Sequence, residues 1–427
     1  MPGPREFDYL IVGGGLAAAS AVDGIREADP SGSIALVTDE SEPPYQRPPL
    51  SKEFIQYADV PRSLLYVKPE GWFGEQDGIE LVTRQKVLVL DPANMSVTTA
   101  RGNEFRAPRI LLATGGRARR LDIPGSDLPG VFALRTVEDS EAIREAAVSG
   151  ARAALIGAGF VGMELAASLT AHDVSSTVVE KLGRVWARVL PPELAAWMRT
   201  HYEGRGVAFR LASTVERFVG SDWIEALVVE GESIPCDLAV VGIGMDPCDG
   251  LAADAGLAVA DGVRVDEFGE TSHPYIYAAG DVARFPDPVF GGHTRVEHWE
   301  HAREHGRQVG RNMAGERERY ELLSYFFSRV FDLNVNAVGR PDQADQTVVW
   351  GEPGDGPCVA FGACAGRLCG IVLIDAPAEL EAARTLVRAR ALLTILDDSP
   401  ERDAVSLAGL VERAGEHRDS RTGQETE

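Results

Sequence analysis

Short apolar runs recur along this chain, each ending at glycines or at an acidic residue and followed by a stretch of helical character. Asp8-Tyr9-Leu10-Ile11-Val12 enters Gly13-Gly14-Gly15, and the alanine-rich segment Leu16 to Ile25 then reads as a helix. The next run, Ile34 to Thr38, ends at Asp39. The pattern repeats downstream. Ala153-Ala154-Leu155-Ile156 enters Gly157-Ala158-Gly159-Phe160-Val161-Gly162, Met163 to Thr170 is helical, and Ser176 to Val179 ends at Glu180. Each repeat predicts a strand, a tight turn, a helix and a second strand, so the chain is expected to hold two Rossmann-like units of an α/β fold.

A glycine pattern alone is weak in a chain with 45 glycines, but strand, turn and helix in that order give it a mechanism. Gly13 and Gly157 allow the sharp turn, and Gly15 and Gly159 let backbone approach a pyrophosphate. The helix that follows offers free N–H groups and a positive dipole end. The third position, Ala18 or Gly162, is small enough for close helix-to-strand packing. Asp39 and Glu180 stand where a carboxylate accepts hydrogen bonds from ribose hydroxyls. At Glu180 the same charge repels a 2′-phosphate, so NADH is favoured over NADPH, and Lys181 and Arg184 moderate that preference. Two dinucleotide sites in one chain point to electron transfer.

Composition narrows the rest. At 427 residues two or three domains are expected. No apolar stretch approaches transmembrane length and the first residues carry no signal-peptide pattern, so a cytoplasmic protein without a membrane partner is expected. The net charge of −23 argues against nucleic acid and anionic membrane surfaces. Cys236, Cys248, Cys358, Cys364 and Cys369 form no CxxC and no metal-ligand set, so electrons are not expected to leave through thiols.

Chain order suggests interleaved domains. The first unit occupies residues 1–112, a connecting segment 113–147, the second unit 148–265, a return segment 266–318, a third region 319–413 and a polar, disordered tail 414–427. Ala113-Thr114-Gly115 ends one strand, and Tyr275-Ile276-Tyr277-Ala278-Ala279-Gly280-Asp281 ends a late one. With the two fingerprints, this resembles the glutathione-reductase-type flavoproteins. The resemblance implies an FAD domain interrupted by an NAD domain and resuming at Gly280-Asp281, followed by a C-terminal α+β domain. FAD would lie on the first fingerprint, NADH on the second, and Asp281 on the ribityl chain.

Pro44-Tyr45-Gln46-Arg47-Pro48-Pro49-Leu50-Ser51-Lys52 is similar to a signature shared by ferredoxin and rubredoxin reductases, monodehydroascorbate reductases and apoptosis-inducing factor. That resemblance assigns Arg47 and Lys52 to FAD, pairs Lys52 with Glu164, and makes Arg119 an FAD contact. A charged pair there would stabilise developing negative charge. On residue type alone, Glu164 could equally complement its helix dipole and Lys52 be a solvated charge. Trp299 matches an aromatic position near flavin and nicotinamide, which makes Lys52, Glu164 and Trp299 the catalytic candidates. Arg303, Arg307 and Arg311 recur at i, i+4 and i+8 and read either as a docking stripe for an acidic ferredoxin or as partners of nearby glutamates. His298, His301 and His305 share that helix, but no fourth ligand accompanies them and no metal is expected.

Runs such as Thr347 to Trp350 and Cys358 to Gly362 predict antiparallel strands in the third region, with helices over about 378–396 and 400–413. Tyr325-Phe326-Phe327-Ser328-Arg329 and Phe331-Asp332-Leu333 resemble monodehydroascorbate reductases more than the Trp-Ser-Asp pattern of ferredoxin reductases. Phe327, however, replaces the tyrosine that contacts the organic substrate there. That loss counts against the ascorbyl radical, and the leading expected acceptor, by resemblance, is an iron-sulfur ferredoxin serving an oxygenase or cytochrome P450. A quinone or organic radical is the alternative, and an NADH-sensing flavoprotein the reading from another class. The protein is expected to be a monomer or homodimer.

Overall fold

The computed structural model describes residues 3–57, 59–397, 399, 402 and 405–422, as backbone only from 416 onward. The chain divides into two compact units, each assembled from three separated segments.

The first unit combines Met1–Pro49, Asp59–Arg117 and Met245–Leu322. Its centre is a parallel five-stranded sheet in the spatial order Ile276–Ala278, Ile110–Leu112, Tyr9–Val12, Ile34–Val37 and Ile79–Val82. Tyr9–Val12 and Ile34–Val37 are buried at every position, which is why they read as unbroken apolar runs. Leu16–Ala28 and Trp299–Met313 are helices of this unit, and glycine and alanine let their backbones approach closely. A β-carbon at Gly24 would lie 1.9 Å from the Arg307 carbonyl oxygen, and one at Gly310 2.2 Å from that of Ala21. The alanine-rich character of the first helix is therefore a packing requirement as well as a propensity.

The second unit combines Leu50–Ala58, Ala118–Gly244 and Leu323–Glu427. Its parallel sheet runs Val131–Ala133, Leu238–Val241, Arg152–Ile156, Ser175–Glu180 and Ala208–Leu211. The C-terminal region adds an antiparallel sheet in the order Tyr325–Val330, Leu333–Gly339, Arg367–Ile374, Cys358–Cys364 and Gln346–Trp350.

Three boundaries differ from the sequence expectation. Residues 245–265, expected in the second unit, belong to the first. Val263–Arg264 pairs with Ala283–Pro286, and Leu257, Val263 and Val265 share a core with Leu10 and Val12. The segment expected to connect the halves of the FAD domain lies instead, from Ala118, in the second unit, because Val131–Ala133 is the edge strand of that sheet and Leu121, Ile123 and Leu128 pack on its core. The helix expected over 378–396 ends at Arg388, where Arg390 takes up left-handed backbone (φ 50°), and the last helix is Ala408–Thr422. That helix overlaps the expected disordered tail, since Glu412, Arg413 and Ala414 are good helix formers. Residues 423–427 lie outside the described residues.

The helix contact gives the first test. Gly310→Ala places a β-carbon 2.2 Å from a backbone oxygen and should destabilise the protein by about 2 kcal/mol in urea unfolding. Gly74→Ala, at a position whose β-carbon would meet nothing within 4 Å, should change it by less than about 0.5 kcal/mol.

Candidate functional site

Both glycine fingerprints adopt the geometry that their spacing implies. In the first unit the Gly13 N–H donates to the Val37 carbonyl oxygen (2.9 Å), and glycine is required there both by φ 124° and because a β-carbon would stand 2.2 Å from the Ala113 oxygen. In the second, the Gly157 N–H donates to Val179 (2.8 Å), and a β-carbon at Gly157 would stand 2.5 Å from the Gly242 oxygen. A β-carbon at Gly162 would lie 1.9 Å from the Gly157 oxygen, and Ala18, fully buried, takes the corresponding place in the first unit.

The middle glycines behave differently. A β-carbon at Gly15 or Gly159 would meet no neighbouring atom within 4 Å, so packing among the described residues does not require glycine there. Each opens a helix, Leu16–Ala28 and Phe160–Thr170, as an N-cap without a side-chain hydrogen bond. Backbone N–H groups at a helix start, with no side chain in front of them, are what a pyrophosphate requires. The residues present therefore fit a dinucleotide in each unit.

Around the first fingerprint the chain gathers several expected residues. The Ala113 N–H donates to Val12 (2.8 Å), the Thr114 hydroxyl to the Cys248 carbonyl oxygen (2.8 Å), and Gly115 accepts from the Cys248 N–H (2.9 Å). A β-carbon at Gly280 would lie 2.7 Å from that of Ala17, which brings Gly280-Asp281 against the start of the fingerprint helix. Asp39 is exposed at the end of its strand segment. Its neighbour Glu40, which sequence reasoning missed, organises the signature. Its carboxylate accepts from Arg47 Nη2 and from the Tyr45 hydroxyl, each at 2.5 Å. Burial works against the Arg47 charge, but Tyr45, Glu40 and Asp281 outweigh it and raise the guanidinium above its ordinary value.

Trp299 begins the helix Trp299–Met313, with the Arg303 guanidinium 4.8 Å over its ring. The arginines beyond it are matched by carboxylates. Arg303 pairs with Glu304 (2.7 Å), Arg307 with Glu27 (2.6 Å), and Arg311 with Glu27 and with Glu318 (3.2 and 2.5 Å). The arginines are thus taken up by Glu304, next in sequence to Arg303, and by Glu27 and Glu318 outside the helix, which departs from both the docking stripe and the i,i+4 pairing expected of it. His301 and His305 are buried with Phe285 and Tyr320. His301 Nδ1 is 2.7 Å from the Tyr320 hydroxyl, and His305 Nδ1 accepts from the Gly280 N–H at 3.4 Å. Burial pushes His301 down to about 4, with Asp281 opposing and His298 assisting the shift, and it pushes His305 well below the ordinary histidine value.

Lys52, Glu164, Glu180 and Arg119 fall in the second unit. Arg119 is placed by its own N–H, which donates to the Gly244 oxygen (3.0 Å). The Glu180 carboxylate holds the fingerprint loop, accepting from the Ala158 N–H (2.6 Å) and the Leu182 N–H (2.7 Å). Trp186, also missed on sequence, holds the other side of that loop. Its backbone N–H donates to Ala158 (2.9 Å) and its indole Nε1 to Gly159 (3.2 Å).

Lys52 and Glu164 form a buried ion pair, Nζ to Oε1 at 2.7 Å, with the side chains 10% and 7% exposed. Lys52 reaches it because its segment is tied down on both sides. The Ser140 hydroxyl donates to the Leu50 oxygen and the Ser168 hydroxyl to the Ser51 oxygen, each at 2.7 Å. The resemblance-based pairing thus prevails over the solvated-charge alternative.

All five cysteines are free. Burial pushes the Cys236 thiol up to about 12 and those of Cys358 and Cys369 to about 11, which suppresses the nucleophilic thiolate. No helix among the described residues is long and apolar enough to cross a membrane.

Residues 7–306 match the family model described as pyridine nucleotide-disulphide oxidoreductase, and residues 325–399 match that described as reductase C-terminal. The chain is 38% identical over 355 residues to the 5,5'-dehydrodivanillate O-demethylase ferredoxin reductase subunit of Sphingobium sp. strain NBRC 103272 / SYK-6, covering 82% of this chain and 85% of that protein. Among solved structures it is similar to the ferredoxin reductase for the CYP199A2 system from Rhodopseudomonas palustris, with a TM-score of 0.88 and 33% identity, covering 95% of this chain and 100% of the other. It is also similar to a chain in the covalent putidaredoxin reductase–putidaredoxin complex, with a TM-score of 0.89 and 28% identity over 97% and 100%.

Two outcomes follow from this geometry. Glu180→Ala should lower the NADH/NADPH ratio of kcat/KM by about tenfold, or about 1.4 kcal/mol, in steady-state assays with both nucleotides. The second concerns pH. With His301 held near 4 in the folded state and ordinary when unfolded, the unfolded chain binds the extra proton first, so stability should fall as pH drops from about 6.5 toward 4. Urea midpoints across that range, compared with His301→Phe, measure this share of the loss.

Proposed function

The chain belongs to the pyridine nucleotide-disulphide oxidoreductase family, and from that membership we propose that it is an FAD-containing, NADH-dependent reductase delivering single electrons to a small iron-sulfur ferredoxin of an oxygenase or cytochrome P450 system. The observation that carries the reading is the pair of middle glycines, Gly15 and Gly159, whose missing side chains no neighbouring atom requires. Two such turns in one chain call for two dinucleotides. The ferredoxin acceptor follows from the similarity to the Sphingobium and Rhodopseudomonas palustris ferredoxin reductases.

In this reading Gly13, Gly15, Ala18, Asp39, Arg47, Ala113, Thr114, Gly115, Arg119, Gly280 and Asp281 hold FAD, and Gly157, Gly159, Gly162 and Glu180 hold NADH. FAD, when bound, supplies the exchange between a two-electron hydride donor and a one-electron acceptor. The protein's part is positional and electrostatic. Backbone N–H groups at the two helix starts fix the pyrophosphates, and Glu180 selects the ribose that carries no 2′-phosphate. Arg47, braced by Glu40, presents a fixed positive charge. By the family resemblance Lys52 would supply positive charge to the flavin, and its pairing with Glu164 keeps that ammonium in one place. By the same resemblance Trp299, with the Arg303 guanidinium over its ring, would be the aromatic residue that serves the flavin. No proton transfer by a side chain is needed, and the suppressed thiols agree with electrons leaving without a disulfide. Dependence on NADH is consistent with a cytoplasmic location.

The test is an anaerobic stopped-flow experiment on the yellow holoprotein, reduced with NADH and then mixed with a [2Fe–2S] ferredoxin or a quinone while the flavin band is followed. Rapid reoxidation by ferredoxin is expected. Reoxidation by quinone alone would assign a small-molecule reductase, and persistence of reduced flavin with both would assign a sensor.

A further inference from the structure

We propose that Ser328, on the first strand of the C-terminal sheet, is a positioning residue for the redox step and acts by fixing the Glu164 carboxylate that holds Lys52. This rests on the proposed role of Lys52 and extends it to a region of the chain that carries no nucleotide motif.

Tyr325–Val330 alternates at its C-terminal end, with Phe327 and Arg329 exposed and Ser328 and Val330 buried. A hydroxyl on the buried face, 3% exposed, must find an acceptor or leave a polar group unsatisfied. It finds Glu164, donating to Oε1 at 2.5 Å. The same oxygen takes the Lys52 ammonium at 2.7 Å, while the Ser51 hydroxyl donates to Oε2. Three donors from two distant segments therefore converge on one buried carboxylate.

A buried ion pair recovers its desolvation cost only when further hydrogen bonds occupy the carboxylate, and here the two serines supply them. Ser51 and Lys52 are adjacent, so their two bonds to the carboxylate come from one segment of chain. Ser328 is the independent anchor, since it sits on a sheet whose neighbouring strand pairs Ser328 with Val335. Without it Oε1 is no longer tied to the sheet, and the carboxylate can shift together with that segment, so the ammonium is less closely confined. A positive charge that is less well placed stabilises negative charge on the flavin less.

The experiment uses full-length holoprotein with Ser328→Ala, Ser328→Thr and Lys52→Met. Ser328→Ala should slow flavin reduction by saturating NADH about fivefold, leave the NADH concentration for half-saturation unchanged, and lower the flavin midpoint potential. Ser328→Thr, which keeps the hydroxyl, should restore both. Should Ser328→Ala fail to fold, Ser328→Cys, similar in size with a weak donor, carries the same comparison. Unchanged rate and potential in Ser328→Ala while Lys52→Met is impaired would overturn the role of Ser328 alone. If Lys52→Met is unimpaired as well, the charge reading of the ion pair falls with it.

Discussion

A β-carbon on Gly13 would stand 2.2 Å from the Ala113 carbonyl oxygen, and one on Gly157 would stand 2.5 Å from that of Gly242. In each unit the fingerprint strand ends with its glycine pressed against the end of the neighbouring parallel strand, Ile110–Leu112 in the first and Leu238–Val241 in the second, and the following helix starts from that turn. That contact fixes where the turn lies, and the turn fixes the middle glycine. Packing of protein on protein explains Gly13, Gly157 and Gly162, but leaves Gly15 and Gly159 to be explained by something other than the chain. The distinction between these two kinds of glycine turns a common sequence pattern into an argument for a ligand.

The parallel sheets were legible because strands buried on both faces leave unbroken apolar runs, as at Tyr9–Val12 and Ile34–Val37. Unit boundaries were not legible, for a related reason. Val131–Ala133 is an edge strand of only partial burial, and Val263–Arg264 is two residues long. Neither leaves a run, and each takes its identity from the strand it pairs with. Chain order alone therefore misplaced the crossings at Ala118 and Met245. The Pro-rich signature is split in the same way, with Tyr45 and Arg47 in the first unit and Leu50, Ser51 and Lys52 in the second.

The site was legible where several residues act together in one stretch of chain. Lys52 and Glu164 come from two such motifs, and the structure brings them to 2.7 Å. Glu40 and Trp186 lie in no motif read from the sequence, and Ser51 and Ser328 lie in motifs that assigned them no role. A lone serine or glutamate gains meaning only from what faces it, and what faces it is more than a hundred residues away for Ser51 and Ser328. The arginine stripe illustrates the opposite error. Its spacing was legible, but its charge was not available, because Glu27 and Glu318 take up Arg307 and Arg311. In a chain of net charge −23, carboxylates are close to most arginines, and a basic stripe read from spacing alone overstates the local field.

Buried titratable groups are handled in two ways, and the contrast has a functional logic. In the first, His301 and His305 are driven neutral by burial, and one of them spends its acceptor on the Gly280 backbone. A group that stays uncharged through the physiological range adds no variable field beside Asp281. In the second, Lys52 and Glu164 stay paired, with hydroxyls supplying the bonds that water would otherwise make. Transfer of an electron is sensitive to every charge nearby, so a redox protein is best served when each buried group is either reliably neutral or reliably fixed. A histidine titrating near neutrality, or a lysine free to swing, would make the potential depend on pH or on conformation. The aromatic cage around the imidazoles and the serines around the carboxylate are two solutions to that one requirement.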